Sequence, residues 1–322
     1  MSKHTAIAFI LLAPLIFAAP GAARKQGGSP VALVTAEREN EVLAVSLPGG
    51  KVLRRVHLHD PETIAAGAAG PAVVVSPSGT VAILAWKSLR QLAVLRGFRS
   101  PQIATITPDN KWAYVTDAAT GDLSVIDLAS RRAVDRVFVG YGAHHLAISP
   151  NEQRVWVALG ERASTIVVLD TSKVSKPRVV ARIHPRSSAH DLAFAPDGRT
   201  VWVSSDTASN VSVLDAGTGR LVGTVPAGPP PQHVVFIPYG RPHAYITSGY
   251  GSAIEMVDTG TRTIVKRSEV PYGSFNLATS GDLIATASLL DGTVTELAGP
   301  TLARWMTVKI APETRDLAIS VW

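Results

Sequence analysis

Histidine is the residue type best suited to chemistry in this sequence, and four of the nine histidines fall at matching places. His144 and His145 are adjacent, and His190 and His233 follow at intervals of about 43 to 46 residues. Imidazole nitrogens bind transition metals and haem iron, and they carry protons near neutral pH. The spacing favours a metal site of His144, His190 and His233 if the fold brings these positions together.

Amides, carboxylates and an arginine accompany the histidines at two successive positions of a recurring segment. The candidate ligand-binding residues are Gln102, His144, His145, His190, Asp191, Gln232, His233, Asn276, Arg315 and Asp316. Two interpretations are open at this point. The residues could form a site for a metal, a haem or an anionic ligand, or a polar, water-filled channel mouth whose imidazoles bond to neighbouring backbone groups.

The elements that must position these residues belong to a repeat. Its four clearest copies span residues 103–127, 146–170, 192–215 and 234–258. In each copy a short apolar strand ends at a proline-containing turn, an aromatic and β-branched strand follows, and an alternating strand ends at an aspartate. A spacing of about 42 to 46 residues, with a fourth strand after that aspartate, predicts four-stranded propeller blades.

Weaker copies complete a ring of seven. Residues 72–95 form one weaker copy, which keeps a Pro77-Ser78-Gly79 turn. We assign this turn to the end of the first strand of that blade. Residues 276–310 form another blade. The N-terminal strands at residues 32–58 lack an inner strand, which residues 316–321 can supply. We therefore predict an all-β, seven-bladed β-propeller of four-stranded antiparallel blades, closed by pairing of the C-terminal strand with the N-terminal strands.

The blade geometry predicts where the candidate residues lie. Successive strands of a blade run in opposite directions, so the connections from each fourth strand to the next blade all lie on one face. The candidate residues precede the inner strands on that face. We expect them to converge at the mouth of the central channel, where propellers commonly bind ligands.

Two other recurring residue types have structural explanations. Aspartates end the third strands and could suggest a catalytic series, but an aspartate there can accept backbone N–H bonds in the following hairpin. We interpret these as turn caps: Asp127, Asp170, Asp215 and Asp258. Tryptophans also recur, and we expect them to pack between blades: Trp112, Trp156 and Trp202.

The second strands carry a family resemblance. Tyr114-Val115-Thr116-Asp117 and Tyr245-Ile246-Thr247-Ser248, each followed by a strand that ends in aspartate, resemble the YVTN β-propeller repeat, and the likeness covers nearly the whole mature chain. Relatives include archaeal surface-layer proteins, periplasmic propellers of the YncE type and the haem d1 propeller of cytochrome cd1 nitrite reductases. Seven-bladed lactonases share the architecture. The resemblance implies the fold and leaves the function open.

The N-terminus predicts export. Residues 1–23 combine a positive start at Lys3, an apolar run and small residues before a cleavage point near Ala23, the layout of a secretory signal. The run is shorter than the roughly 20 residues of a spanning helix and contains Pro14. We expect a cleaved signal, a propeller domain over residues 24–322, no remaining transmembrane segment, and a periplasmic or extracellular location.

The composition excludes some kinds of site and favours some partners. The absence of cysteine excludes disulfides, thiolate metal sites and a covalently attached c-type haem. The formal net charge of +6 favours anionic partners. Basic clusters such as Lys51-Arg54-Arg55 could follow nucleic-acid phosphates, although solvated outer strands explain such clusters more often. Neither a phosphate-binding glycine motif nor a Gly-x-Ser-x-Gly elbow is present.

These observations favour a monomeric binding or scaffold protein over an enzyme, with an unidentified protein or anionic ligand as its partner. Two alternatives stay open. One is a redox-associated propeller whose histidines hold haem d1 or a metal ion. The other is a lactonase-like hydrolase, whose divalent metal would use Asp191, Asn276 and Asp316.

Overall fold

The computed structural model describes residues 28–160, 164–228, 230–237 and 243–322, which form seven four-stranded antiparallel sheets. The segment predicted to be a secretory signal lies outside these residues. Within the described ranges, the one helix is a 3₁₀ turn, Gly249–Gly251. No helix in those ranges has the length and apolar content needed to cross a bilayer.

The strands follow one another blade by blade, each blade running from the channel outward. Blade 1 contains β1 (Pro30–Ala36), β2 (Glu41–Ser46) and β3 (Val52–His57). Blade 2 contains β4 (Thr63–Ala66), β5 (Ala72–Ser76), β6 (Thr80–Leu84) and β7 (Gln91–Leu95). Blade 3 contains β8 (Pro101–Ile106), β9 (Trp112–Asp117), β10 (Asp122–Asp127) and β11 (Arg132–Phe138). Blade 4 contains β12 (Leu146–Ile148), β13 (Arg154–Ala158), β14 (Ile166–Asp170) and β15 (Arg178–Ile183).

The remaining blades repeat the pattern. Blade 5 contains β16 (Leu192–Phe194), β17 (Thr200–Val203), β18 (Asn210–Asp215) and β19 (Leu221–Pro226). Blade 6 contains β20 (Val234–Ile237), β21 (His243–Ser248), β22 (Ala253–Asp258) and β23 (Thr263–Glu269). Blade 7 contains β24 (Ala278–Ser280), β25 (Leu283–Ser288), β26 (Thr293–Ala298) and β27 (Ala303–Lys309). The last strand, β28 (Leu317–Val321), is the inner strand of blade 1.

The C-terminal strand closes the ring as the sequence predicts. β28 pairs antiparallel with β1, in a register that joins Val34 to Leu317 and Pro30 to Val321. β28 also contacts the inner strands β4 and β24 of the two adjacent blades. Closure removes an unpaired inner edge that would otherwise expose backbone N–H and C=O groups. The predicted seven-bladed propeller is confirmed.

Blade 2 corrects one strand assignment. Its inner strand is β4, and the Val-rich segment Ala72–Ser76 is the second strand. The Pro77-Ser78-Gly79 turn therefore joins the second and third strands, since Ser76 pairs with Thr80 across it. The prediction was wrong because β4 is only four residues long, whereas β5 is buried and apolar and is followed by the Pro-Ser-Gly turn expected after an inner strand.

The hydrophobic core lies between blades. One cluster joins Val34 and Leu43 of blade 1 to Leu283 and Val294 of blade 7. The predicted role of the tryptophans is borne out for two of them. Trp156 packs edge-on against Phe194 of the next blade at 5.7 Å between ring centroids, and Trp202 packs against Phe236 at 5.5 Å.

The recurring aspartates are turn caps, as predicted. Asp215 Oδ1 accepts the backbone N–H groups of Gly217 and Thr218 at 3.1 and 2.8 Å. The equivalent carboxylates make the same kind of bond in their own hairpins, at Asp127, Asp170 and Asp258. These bonds satisfy turn donors, so the four carboxylates hold hairpins and do not form a shared site.

Part of the positive charge holds neighbouring blades together. Four arginines at or beside outer strands donate to backbone carbonyls of the preceding blade, in the pairs Arg55 to Ile310 (3.0 Å), Arg136 to Gly97 (2.9 Å), Arg262 to Val222 (2.9 Å) and Arg304 to Glu269 (3.5 Å). Bonds of this kind join the outer edges of four pairs of neighbouring blades. These guanidinium groups already have partners within the chain.

Candidate functional site

A cavity of about 510 Å³ opens at the channel mouth where the chain leads into the inner strands. We call the two successive positions at or just before the start of each inner strand the lead-in positions. All ten candidate residues line this cavity: Gln102, His144, His145, His190, Asp191, Gln232, His233, Asn276, Arg315 and Asp316. Residues far apart in the sequence meet because every blade contributes the same part of the repeat to the channel.

Hydroxyl groups fix the backbone of the first lead-in position. At five of these positions the backbone carbonyl accepts a hydrogen bond from a threonine or serine hydroxyl of the preceding blade. The pairs are Thr35 to Glu62, Thr63 to Gln102, Thr116 to His144, Ser204 to Gln232 and Thr247 to Phe275. The distances run from 2.6 to 2.8 Å. Each bond ties the start of one inner strand to the preceding blade, so the site has a rigid backbone frame.

Four imidazoles form a compact group on blades 4 to 6. The ring centroid of His145 lies 4.6 Å from that of His190 and 4.9 Å from that of His233. Candidate ligand nitrogens of these three residues all lie within 4.8 Å of one another. His144 stands beside this trio, and its Nδ1 lies 2.7 Å from Nδ1 of His145. One of these two nitrogens must carry the proton, and the bond orients the ring of His145.

Asp191 orients His233. Its Oδ2 lies 3.4 Å from His233 Nδ1 and accepts the backbone N–H of Val234 at 3.0 Å. Burial opposes the charged form of His233, but the charge and hydrogen bond of Asp191 outweigh it, and the pKa of His233 is raised. A carboxylate on one ring nitrogen leaves the other available to a ligand, the arrangement common behind metal-binding histidines.

The other imidazoles favour their neutral form. Burial, followed by repulsion among the neighbouring rings, lowers the pKa of His144 to about 4. Burial, with repulsion from His233, lowers the pKa of His190 to about 4 as well. The pKa of the buried His145 is also well below its ordinary value, for the same two reasons. Neutral imidazole is the form that binds metals.

The charged residues of blades 1 and 2 are bonded within the chain. Arg315 Nη2 lies 2.7 Å from Glu62 Oε1, and its Nε lies 3.9 Å from Glu37. Asp316 accepts the backbone N–H groups of Ile64 and Leu317 at 2.9 and 2.8 Å. Burial raises the pKa of Asp316 to about 6, against the opposing influence of those bonds and of nearby positive charge.

Sequence reasoning missed several residues of the cavity wall, among them Glu62, Thr63 and Tyr250. Glu62 and Thr63 are the lead-in residues of blade 2, and they were missed because the inner strand of that blade was misassigned. Tyr250 comes from the loop between β21 and β22, which contains a 3₁₀ turn that the sequence repeat does not predict. The glutamate could have been found by counting one blade length back from Gln102.

The donor set fits a bare metal ion better than a haem. Three nitrogens bound to a tetrahedral zinc at about 2.0–2.1 Å lie about 3.4 Å apart, so the trio needs to contract by roughly 1 Å and leaves one position open. A haem iron has four nitrogens of its own macrocycle and takes protein ligands only on its axis. Three imidazoles that converge on one point do not fit that geometry.

The carboxylate and amide set expected of a lactonase-like metal site is otherwise engaged. Asp191 and Asp316 each accept a backbone N–H of the next blade. Asn276 Nδ2 donates to the carbonyl of Arg315 at 2.7 Å. These three side chains connect blades around the channel mouth, whereas the candidate ligand atoms that converge are those of His145, His190 and His233.

A family model described as a seven-bladed β-propeller lactonase matches residues 99–246, which include all four clustered histidines. The chain is similar to seven-bladed lactonases over this part. No curated protein sequence matches the chain. This match and the structural neighbours agree with the seven-bladed propeller fold that the repeat predicts.

Solved structures share the fold at low identity. A functionally unknown protein from Desulfotomaculum acetoxidans has a TM-score of 0.78 and 15% identity, covering 90% of this chain and 99% of that one. AztD from Citrobacter koseri has a TM-score of 0.70 and 11% identity, covering 91% and 98%. The dihydro-haem d1 dehydrogenase NirN has a TM-score of 0.65 and 16% identity, covering 88% of this chain and 64% of NirN. At these identities the likeness concerns the fold.

Proposed function

We propose that this chain is an exported binding propeller whose ligand at the channel mouth is a divalent transition-metal ion. The observation that carries the proposal is the convergence of His145, His190 and His233 within 4.8 Å of one another. Imidazole sets of this kind suit zinc, copper or nickel. The predominantly neutral rings of His145 and His190 and the carboxylate behind His233 support the same conclusion.

Calorimetric titration with Zn²⁺ tests this function. We expect one ion per chain, and we expect binding to be lost when His145, His190 and His233 are all replaced by alanine. The matched control replaces His59 and His184, which are exposed and lie outside the cavity. Equal zinc affinity of the wild type and the triple variant would contradict the proposal, as would equal losses in the triple and control variants.

Export is part of the same proposal. The layout of residues 1–23 supports cleavage near Ala23 and a periplasmic or extracellular location. Mass spectrometry of the protein from fractionated cells should give a mature N-terminus close to residue 24. A chain found in the cytoplasm with residues 1–23 attached would contradict this part of the proposal.

Metal-dependent hydrolysis of lactones is the second candidate, and the family match over residues 99–246 favours it. A trio of histidines leaves an open metal position, where a bound water can be activated. Hydrolysis of simple lactones by the zinc-loaded protein, abolished by a chelator, would support this candidate. Rates equal to those of the triple histidine variant would remove it.

A further inference from the structure

The cavity is much larger than a metal ion requires. Its volume is about 510 Å³, whereas one water molecule takes about 30 Å³ of liquid volume. An ion with one or two waters therefore occupies a minor part of the space. Pockets of roughly 300–1,000 Å³ are typical of sites for small organic ligands. The unfilled part of the cavity thus has room for an organic molecule.

One part of the cavity wall is aromatic. Tyr250 and Phe275 both line the cavity, with ring centroids 5.1 Å apart and planes at 73°. Tyr272 extends this group, with its centroid 6.4 Å from that of Tyr250. Tyr250 is 56% exposed and Tyr272 is 48% exposed. Exposed, grouped aromatic rings beside a cavity are typical of binding surfaces, because they offer a large contact area and few rotamers.

The chain fixes this aromatic wall in place. A side chain at Gly249 would overlap Cδ1 of Phe275, so the phenyl ring lies directly on the glycine. Thr247 Oγ1 donates to the carbonyl of Phe275 at 2.6 Å. Ser248 Oγ accepts the N–H of Gly251 at 3.1 Å and holds the turn that carries Tyr250. The wall is thus built by specific contacts on blades 6 and 7.

We propose that the metal-loaded cavity binds a small aromatic carboxylate, with its carboxylate on the open position of the metal and its ring against Phe275 and Tyr250. This inference rests on the proposed function, because the metal supplies the anchor. Three imidazole ligands bring no formal negative charge of their own to the ion, so a carboxylate at the open position would offset part of its double positive charge. Aromatic pairs prefer edge-to-face or offset contacts, and the two tilted rings offer both an edge and a face.

A comparison of benzoate with acetate tests the inference. Each anion is titrated into zinc-loaded and zinc-free protein and the affinity is measured by calorimetry. We expect benzoate to bind the zinc-loaded protein at least tenfold more tightly than acetate, and at least tenfold more tightly than it binds the zinc-free protein. Equal affinities for the two anions would overturn the role of the aromatic wall. Equal benzoate affinities with and without zinc would overturn the role of the metal.

Substitutions of Tyr250 and Phe275 test whether the aromatic wall contacts the bound anion. Tyr250→Ala, alone and combined with Phe275→Leu, should lower benzoate affinity at least fivefold and leave zinc affinity within twofold. The control is Tyr141→Ala, since Tyr141 is 72% exposed and does not line the cavity. Unchanged benzoate affinity in Tyr250→Ala, or an equal loss in the control, would overturn the inference. Absence of zinc binding contradicts the proposed function, whereas zinc binding without benzoate preference contradicts this inference alone.

Discussion

Two arcs of the same channel mouth use the same lead-in positions differently. On blades 4 to 6, His145, His190 and His233 bring ligand nitrogens together. On blades 1 and 2, Arg315 pairs with Glu62, and Asp316 accepts two backbone N–H groups. The repeat thus determines where a side chain lies, and its local bonds determine whether it is left to bind a ligand. The histidine arc is therefore the candidate site, and the other arc closes the ring.

Asp191 and Asp316 give the closest comparison between the arcs. Both occupy the second lead-in position, and both accept the backbone N–H of the next blade, from Val234 and Ile64 respectively. Asp191 differs because it also lies beside Nδ1 of His233. One carboxylate therefore joins blades and orients an imidazole, whereas the other joins blades and is not hydrogen-bonded to an imidazole.

The largest expected effect is loss of a metal ligand. His190→Ala should lower zinc affinity at least 100-fold, because two imidazoles and water replace three protein ligands. His144→Ala should lower it less than tenfold, since His144 stands outside the trio. Competition with a fluorescent zinc indicator measures both. If His144→Ala caused the greater loss, the metal would be bound by a different set of histidines, such as the one expected from spacing alone.

The second prediction uses the paired aspartates. Asp191→Asn should lower zinc affinity about 10- to 100-fold, as expected for a group that orients a metal ligand. Asp316→Asn should change zinc affinity less than threefold, because its carboxylate bonds the backbone of blade 2. The same competition assay measures both variants. Equal effects of the two substitutions would show that the arcs do not differ in the way described.

A third buried carboxylate differs from Asp191 and Asp316 because it has no hydrogen-bond partner in the part of the chain that the structure describes. Glu296 on β26 is fully buried, and neither of its carboxylate oxygens has a hydrogen-bond partner among the described residues. Burial raises its pKa. Glu296→Gln should therefore stabilise the protein at neutral pH, because the amide cannot ionise and so avoids the cost of a buried charge.

The pH dependence of that gain follows from the sign of the shift. Well below the ordinary pKa of glutamate both folded and unfolded chains are protonated, so burial of the acid has no ionisation cost. As the pH rises, the unfolded chain ionises first, and the wild type loses stability until the folded pKa is reached. The gain from Glu296→Gln should be present at pH 7 and shrink towards pH 4. Urea unfolding at several pH values measures it, and a gain that grows on acidification would contradict this account.

The smallest effect on stability is expected at the ion pair between Arg315 and Glu62, on blades 1 and 2. Arg315→Met should cost about 1 kcal/mol or less, because the pair with Glu62 is partly exposed and such pairs contribute little. Zinc affinity should stay within twofold. Urea unfolding and the zinc competition assay together measure the two quantities. A tenfold change in zinc affinity would show that the arcs act as one site.

The repeat made most of the ring predictable from the sequence. Copies with a proline turn and a terminal aspartate located the inner strands of blades 3 to 6, and weaker copies located those of blades 7 and 1. Blade 2 was misassigned because β4 is short and the Pro-Ser-Gly turn follows β5. The loop residue Tyr250 was missed as a wall residue, because its position depends on the 3₁₀ turn Gly249–Gly251, which no other blade repeats among the described residues.

The choice between His144 and His145 also needed the structure. The two residues are adjacent in the sequence, both line the cavity, and their rings are joined through Nδ1. Spacing alone places His144 in register with His190, but the group in ligand reach of His190 and His233 contains His145. The orientation depends on the hydrogen bond between the two imidazoles and on the backbone bond from Thr116 to His144.

X-ray absorption at the zinc edge tests the central claim most directly, on full-length mature protein loaded with one equivalent of Zn²⁺. We predict a four-coordinate zinc with three imidazole nitrogens at about 2.0–2.1 Å, and a loss of imidazole scattering in His190→Ala. A spectrum of zinc surrounded by six oxygens, or one that His190→Ala leaves unchanged, would contradict a metal site on the histidine arc.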